Sequence, residues 1–266
     1  MIIVSDLLNA VYRTRLKSRS YRRQVFVKAL QNRLRHSRLG HALLRNMNEG
    51  MTANPSWHDE FRELVGDKEY NEAFWESDLG FLWYQGNLNR QNEYFGYTIN
   101  EIQKHGHQTH LDVGCGWGEL TIRVSKLDGI QEAAGIDIAE KVIYKAKELA
   151  KGTNATFVHL DVLDCAEEFD LVTILGSTDY IPADIFEQVL RKLLSLAKKE
   201  LIIVNSLRGV PFEEALALEA SKQTFRYDIG CVHPINHCLI EWQSEYGYTV
   251  DIQKFGQDST LTTVLL

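Results

Sequence analysis

From residue 108 onward, short apolar runs alternate with stretches whose apolar residues recur at helical spacing. Leu111–Val113, Ala133–Ile138, Thr156–Leu160, Leu171–Leu175 and Leu201–Val204 have the nearly continuous apolar character of strands covered on both faces. Trp117–Lys126, Ala139–Lys151 and Ala183–Leu196 carry the helical period between them, while only a short link through Asp164–Glu168 joins the third and fourth strands. A helix near Pro234–Ser244 follows, and two period-2 segments, TVDIQKF and TLTTVLL, end the chain as an expected antiparallel pair. Strand and helix alternating in this way predict an α/β fold, a parallel sheet with helices on both faces.

Upstream the pattern is different. Leu7, Leu8, Val11 and Tyr12 form one apolar stripe at helical spacing, and Val25, Phe26, Ala29, Leu30 and Leu34 a second, with Arg and Lys on the opposite faces. Residues 47–56, MNEGMTANPS, have the Gly, Asn, Pro and Ser of a linker. Residues 57–104 are again helical in pattern and rich in Trp, Tyr and Phe, with Tyr84 and Tyr94 the candidates to reach a pocket. The organisation expected is a basic amphipathic helical arm at 1–46, an aromatic-rich helical cap at 47–105 and an α/β core at 106–266.

Composition is that of an ordinary globular protein, with 44% hydrophobic and 24% charged residues. The charge distribution changes that picture: residues 1–46 hold eleven Lys/Arg and one acid, so an arm of +10 precedes a remainder of −17. Such asymmetry points to an anionic partner for the arm, either a membrane surface or RNA, or else to subunit contacts in a homo-oligomer. The scattered Cys115, Cys165, Cys231 and Cys238 do not suggest a disulfide framework. The opening MIIVS lacks the basic leader and length of a secretion signal. A cytoplasmic location, peripheral to the membrane if the arm binds lipid, is therefore expected.

The first strand runs into a glycine loop, Asp112-Val113-Gly114-Cys115-Gly116-Trp117-Gly118-Glu119. A dinucleotide fingerprint is G-x-G-x-x-G with pyrophosphate at the helix N-terminus. Here Glu119 occupies the position of its third glycine, and Asp112 precedes the first. Placing a phosphate among these acids would cost on the order of 1–4 kcal/mol per close pair. A ligand with a cationic end and no phosphate fits better.

This loop resembles the first motif, [DE]-x-G-x-G-x-G, of the class I S-adenosylmethionine-dependent methyltransferases, and the resemblance extends over roughly residues 106–266. It implies a seven-stranded, mostly parallel, doubly wound sheet with an antiparallel C-terminal strand, preceded by the helical N-terminal region. It also implies S-adenosylmethionine as methyl donor and S-adenosylhomocysteine as product. The cofactor set it assigns comprises Asp112, Gly114, Cys115, Gly116, Trp117, Gly118, Asp137, Ile138, Asp161, Val162 and Leu175. Within that set, Asp112 would face the ammonium of the methionine moiety and Asp137, ending the second strand, both ribose hydroxyls. Asp161, ending the third, would take the adenine amino group, and the Val162 backbone would face the ring. Read without the resemblance, Asp137 and Asp161 are equally helix or turn caps, and Trp117 is as readily a packing residue.

The acceptor is expected beyond the fourth strand, where the chain reads Ser177-Thr178-Asp179-Tyr180-Ile181-Pro182. Asp179 and Tyr180 are candidate catalytic residues there, with Ser177 on the floor, although Ser177 and Asp179 also suit helix capping. The Asn/Asp/Ser-Pro-Pro-aromatic tetrapeptide of amino-group methylators of nucleobases and glutamine is missing. Cys231-Val232-His233-Pro234-Ile235-Asn236-His237-Cys238 lacks the paired C-x-x-C spacing of structural zinc, so no metal is assigned, and His233 or His237 is a candidate general base, His233 the one taken into the catalytic set. The His-rich run Lys104–His110 reads as a solvated loop entering a strand. The functions that remain are methylation of a small-molecule or glycan-type acceptor at O or N, an RNA methyltransferase gripping through its arm, and a non-catalytic cofactor-binding module.

Overall fold

A computed structural model describes residue 75 and residues 78–206, 212–227, 230–256 and 259–266. The basic arm, the linker, most of the aromatic segment before residue 78 and the side chain of Tyr84 lie outside the described residues. Five parallel strands are β1 (Thr109–Val113), β2 (Glu132–Asp137), β3 (Ala155–His159), β4 (Phe169–Leu175) and β5 (Ala197–Ser206). A short hairpin, β6 (Phe225–Tyr227) and β7 (Gly230–Val232), forms its own two-stranded sheet. β8 (Thr249–Phe255) and β9 (Ser259–Leu265) then close the main sheet, β9 antiparallel to both β5 and β8. The seven strands lie in the order β3-β2-β1-β4-β5-β9-β8. The doubly wound architecture and its antiparallel end are those expected from the alternation.

The helices are α1 (Asp78–His105), α2 (Glu119–Val124), α3 (Glu140–Leu149), α4 (Phe186–Leu196), α5 (Phe212–Glu219) and α6 (Ile235–Tyr246). The continuous apolar strands feed two cores at once, because successive side chains leave opposite faces of a strand. In β5, Leu201 and Ile203 join the core under α4 and α6, while Ile202 and Val204 join the one under α1 and α2. The same division separates Leu171 from Val172 in β4.

Several expectations are corrected in detail. Helix α2 begins two residues late because Gly118, its N-cap, adopts a left-handed conformation with φ of 79°. Before α4 the chain makes a 3-10 turn at Thr178–Tyr180, and the β6–β7 hairpin has no counterpart in the hydropathy pattern. Tyr94 is a core residue, 5% exposed, whose Oη lies 3.0 Å from Ser259 Oγ. In the run Lys104–His110, Lys104, His105, Gly106 and Gln108 are exposed as expected, but His107 and His110 are 4% and 0% exposed, His110 because it lies within the central strand β1.

Candidate functional site

Strand order reverses between β1 and β4, so the connections from their C-terminal ends diverge to opposite sides and leave a crevice, the usual ligand position in open α/β sheets. Here that crevice encloses about 1190 Å³ of empty space, its open mouth included. Gly114, Gly116 and Trp117 of the glycine loop line it, with Asp137 and Ile138 after β2, Asp161 and Val162 after β3, and Leu175 after β4. Eight of the eleven sequence-assigned cofactor residues thus meet on one wall.

Asp137 anchors the loop as well as facing the crevice. Its Oδ1 accepts from Ala139 N at 2.9 Å and its Oδ2 from Gly116 N at 3.1 Å. Burial raises its pKa, and those backbone donors oppose the rise. Each carboxylate oxygen retains a second lone pair for a hydroxyl donor. Asp161 Oδ1 accepts from Leu163 N at 3.1 Å and so caps the 3-10 turn Val162–Asp164. For both acids, capping and pocket-lining turn out to be compatible.

The remaining three members serve from outside the wall. Asp112 is 5% exposed and off the crevice surface. Its Oδ2 accepts from Thr121 Oγ1 at 3.1 Å and its Oδ1 from Thr173 Oγ1 at 3.2 Å. Thr173, its register partner in β4, in turn lies 2.9 Å from His110 Nε2. Burial lowers the pKa of His110 to about 3; the Thr173 hydroxyl donates to Asp112, so in the Nε2-protonated tautomer the neutral ring donates to Thr173. The acid expected to face a cofactor ammonium is engaged here inside the protein, at the base of a polar column beneath the loop. Cys115 packs with Ile143, Ala146 and Phe157, and burial raises its thiol pKa. Gly118 contributes the space that Phe157 fills: a Cβ there would lie 2.3 Å from Phe157 Cζ.

Burial also pushes the Asp112 carboxyl up to about 7, against its two threonine donors. The native state then binds a proton that the unfolded chain releases near pH 4, so this group makes stability fall as pH rises from about 4 to 7. Asp112→Asn should consequently be more stable than the parent at pH 8, by on the order of 1 kcal/mol or more. That advantage should shrink toward pH 4, as followed by urea denaturation across pH.

Among the candidate catalytic residues, Tyr180 lies on the crevice wall and Ser177 lies beside it. Ser177 Oγ donates to Gly114 O at 3.2 Å, and a Cβ on Gly114 (φ 67°) would come within 2.5 Å of that Oγ. Gly114 is therefore what lets the β1 and β4 loops close on each other. Asp179 is 3% exposed and off the wall, within the tight 3-10 turn beside Thr178. His233, the candidate base, lies off the wall as well. It is fully buried behind Ile181, donating from Nε2 to Ile181 O at 2.9 Å and stacking on Phe186 with ring centroids 4.6 Å apart. Its Nδ1 is 2.9 Å from Thr224 Oγ1, and burial lowers its pKa to about 4. Both ring nitrogens are engaged within the protein, where the ring backs the wall.

Two lining residues were not foreseen. Trp75 meets Tyr180 edge-to-face with centroids 5.0 Å apart. Gln91 of α1 brings a buried Oε1 that has no hydrogen-bond partner among the described residues. Nothing in the local pattern distinguishes Trp75, or Gln91 within α1, from core positions. An orphaned amide oxygen, two strand-end carboxylates and apolar planks from Ile138, Leu160 and Val162 suit a ligand with hydroxyl, amino and cationic groups and a flat ring. S-adenosylmethionine fits that description. Among the described residues, none that lines the crevice has a positively charged side chain to meet a phosphate.

A family described as "Methyltransferase domain" matches residues 111–200. The ubiquinone biosynthesis O-methyltransferase of Hydrogenovibrio crunogenus is 29% identical over 143 residues, 52% of this chain and 54% of that one. The magnesium-protoporphyrin O-methyltransferase of Synechocystis is 30% identical over 155 residues, 56% of this chain and 64% of that one. The chain thus spans between half and two thirds of the length of these curated relatives. In structure it resembles the Synechocystis magnesium protoporphyrin IX methyltransferase with bound S-adenosylhomocysteine, with a TM-score of 0.58 and 17% identity over 75% of this chain and 100% of that one. That likeness is one of fold.

Proposed function

We propose that this chain is a class I S-adenosylmethionine-dependent methyltransferase and that it methylates a hydroxyl group of a small, largely apolar acceptor. The observation that carries the reading is that one crevice joins an acid-lined half, Asp137 and Asp161, to an aromatic half, Trp75 and Tyr180. The O-methyltransferase names of the two sequence relatives support oxygen as the atom methylated. When bound, the cofactor supplies a methyl group already activated by its sulfonium. The chain's part is then to orient and to exclude water. Asp137 and the Gly116 backbone it holds would seat the ribose side, and Asp161, Val162 and Gln91 the purine and its neighbours. Ile181, Pro182 and Ile185 wall the far end with apolar surface. Trp75 and Tyr180 would clamp the acceptor, with the Tyr180 hydroxyl as hydrogen-bond partner of the acceptor oxygen.

Labelled methyl transfer to a panel of hydroxylated aromatic compounds tests this. Tyr180→Phe is expected to lower kcat/KM about tenfold while calorimetric affinity for S-adenosylhomocysteine stays unchanged. Equal loss of both would remove Tyr180 from the acceptor half. Absence of labelling across the panel, with the homocysteine product still bound, would reject the acceptor class but keep the cofactor site.

A second reading rests on the arm of +10: the acceptor is RNA, held electrostatically by residues 1–46. Salt-dependent RNA retention that vanishes when the arm is deleted would favour it. Binding of the intact chain to anionic vesicles, with no RNA retention, would assign the arm to a membrane surface instead.

A further inference from the structure

At the opposite end of the sheet's strands from the crevice, the end of α1 and the early part of β5 bring together Glu101, His105 and Glu200. We propose that these three residues bind a divalent transition-metal cation, with Zn²⁺ the best match. One donor atom from each, two carboxylate oxygens and one imidazole nitrogen, lies within 4.8 Å of the others. Glu101 and His105 stand at i and i+4 on α1, with His105 Nε2 already 3.1 Å from Glu101 Oε2. Donors about 2.1 Å from a tetrahedral zinc stand about 3.4 Å apart, so the cluster needs to tighten by little more than about 1 Å. His105 and Glu101 retain 33% and 12% side-chain exposure, which gives a path for entry and room for a water as fourth ligand.

The independent pointer is Glu200. Its side chain is fully buried, and His107 donates from Nε2 to its Oε2 at 2.6 Å. The other oxygen, Oε1, is buried with no hydrogen-bond partner among the described residues. A carboxylate oxygen without a partner in the interior is costly, since it has lost water and gained nothing. A cation drawn in between α1 and β5 would satisfy it. His107 then acts as the orienting group that metal-ligating carboxylates commonly have. The present occupant of the exposed side, Lys104, lies 3.1 Å from Glu101 Oε2 on a side chain 64% exposed to water. It can swing aside without disturbing the core. Two carboxylates and an imidazole form a mixed O/N set that favours Zn²⁺ over Mg²⁺, which prefers oxygen and retained water. Such a site would staple the last turn of α1 to β5 and thereby fix the helix that brings Gln91 to the crevice.

The test uses the full chain, stripped with EDTA and titrated calorimetrically with ZnCl₂, with MgCl₂ in parallel. One equivalent of Zn²⁺ should bind saturably and raise the Tm, and Mg²⁺ should not compete. His105→Gln and Glu101→Gln, both on the accessible side of the site, should each weaken Zn²⁺ at least about tenfold. Glu200→Gln should abolish binding if it folds. Co²⁺ in place of Zn²⁺ should show visible ligand-field bands without the charge-transfer absorption of thiolates. His237→Gln, which alters the separate Cys/His cluster, should leave Zn²⁺ affinity as it is. No saturable binding, or equal binding by the parent, His105→Gln and Glu101→Gln proteins, would overturn the proposal.

Discussion

Asp137→Ala should weaken S-adenosylhomocysteine binding by about 100-fold or more, with the far-ultraviolet circular dichroism of the folded chain retained. Two contributions add in this prediction. The carboxylate would lose charge-assisted hydrogen bonds to a ribose, each contributing about 1.5–3 kcal/mol. It would also release Gly116 N and Ala139 N, which it now holds at 3.1 and 2.9 Å, so the loop would no longer be preorganised. Asp137→Asn keeps one acceptor and should fall between parent and alanine variant. Calorimetric affinity equal to that of the parent in Asp137→Ala would reject the ribose role. The same affinity loss accompanied by a collapse of the circular dichroism would show a purely structural residue instead.

Gly118→Ala is expected to destabilise the fold by about 3 kcal/mol, which combines overpacking of about 1–3 kcal/mol with a left-handed backbone cost of about 1–2 kcal/mol. The added Cβ would stand 2.3 and 2.4 Å from Phe157 Cζ and Cε1 and 3.3 Å from Ala146 Cβ, at a φ of 79°. The third glycine of the motif thus serves helix–sheet packing. A double-mutant cycle separates the two causes. In a Phe157→Leu background the alanine should cost less than in the parent, because the clashing ring is gone and only the backbone cost remains. Strictly additive costs by urea denaturation would show that the ring clash is not the source.

These two results bear on the same loop, and they show how differently its residues could be read in advance. Asp137 and Asp161 were legible because a carboxylate at the end of a parallel strand has few places to go: the crevice or the next turn. The structure has each do both. Asp112 was legible as an important acid but not in its direction. Its side chain leaves β1 on the face toward Thr121 and Thr173, and facing is set by strand pairing and helix packing. His233 stood out for its chemistry, yet stacking on Phe186 and the bond to Ile181 O place it behind the wall. His107 and His110 seemed to belong to a polar loop. Their polarity is met inside the protein, by Glu200 and Thr173, through contacts 93 and 63 residues away in the chain.

By itself the sequence determined the order of the seven main-sheet strands, the doubly wound class, the acid-bearing strand ends and the kind of ligand that a glycine loop flanked by carboxylates can accept. These follow from local periodicity and from charge, which neighbouring residues carry between them. The tertiary structure alone decided which acids open onto the crevice, that Trp75 and Gln91 complete its wall, and that Glu200 meets Glu101 and His105 at the far end of the strands. Each of those depends on contacts between segments distant in the chain. Such contacts are set by how whole faces pack, and no local pattern of hydrophobic and polar residues encodes them.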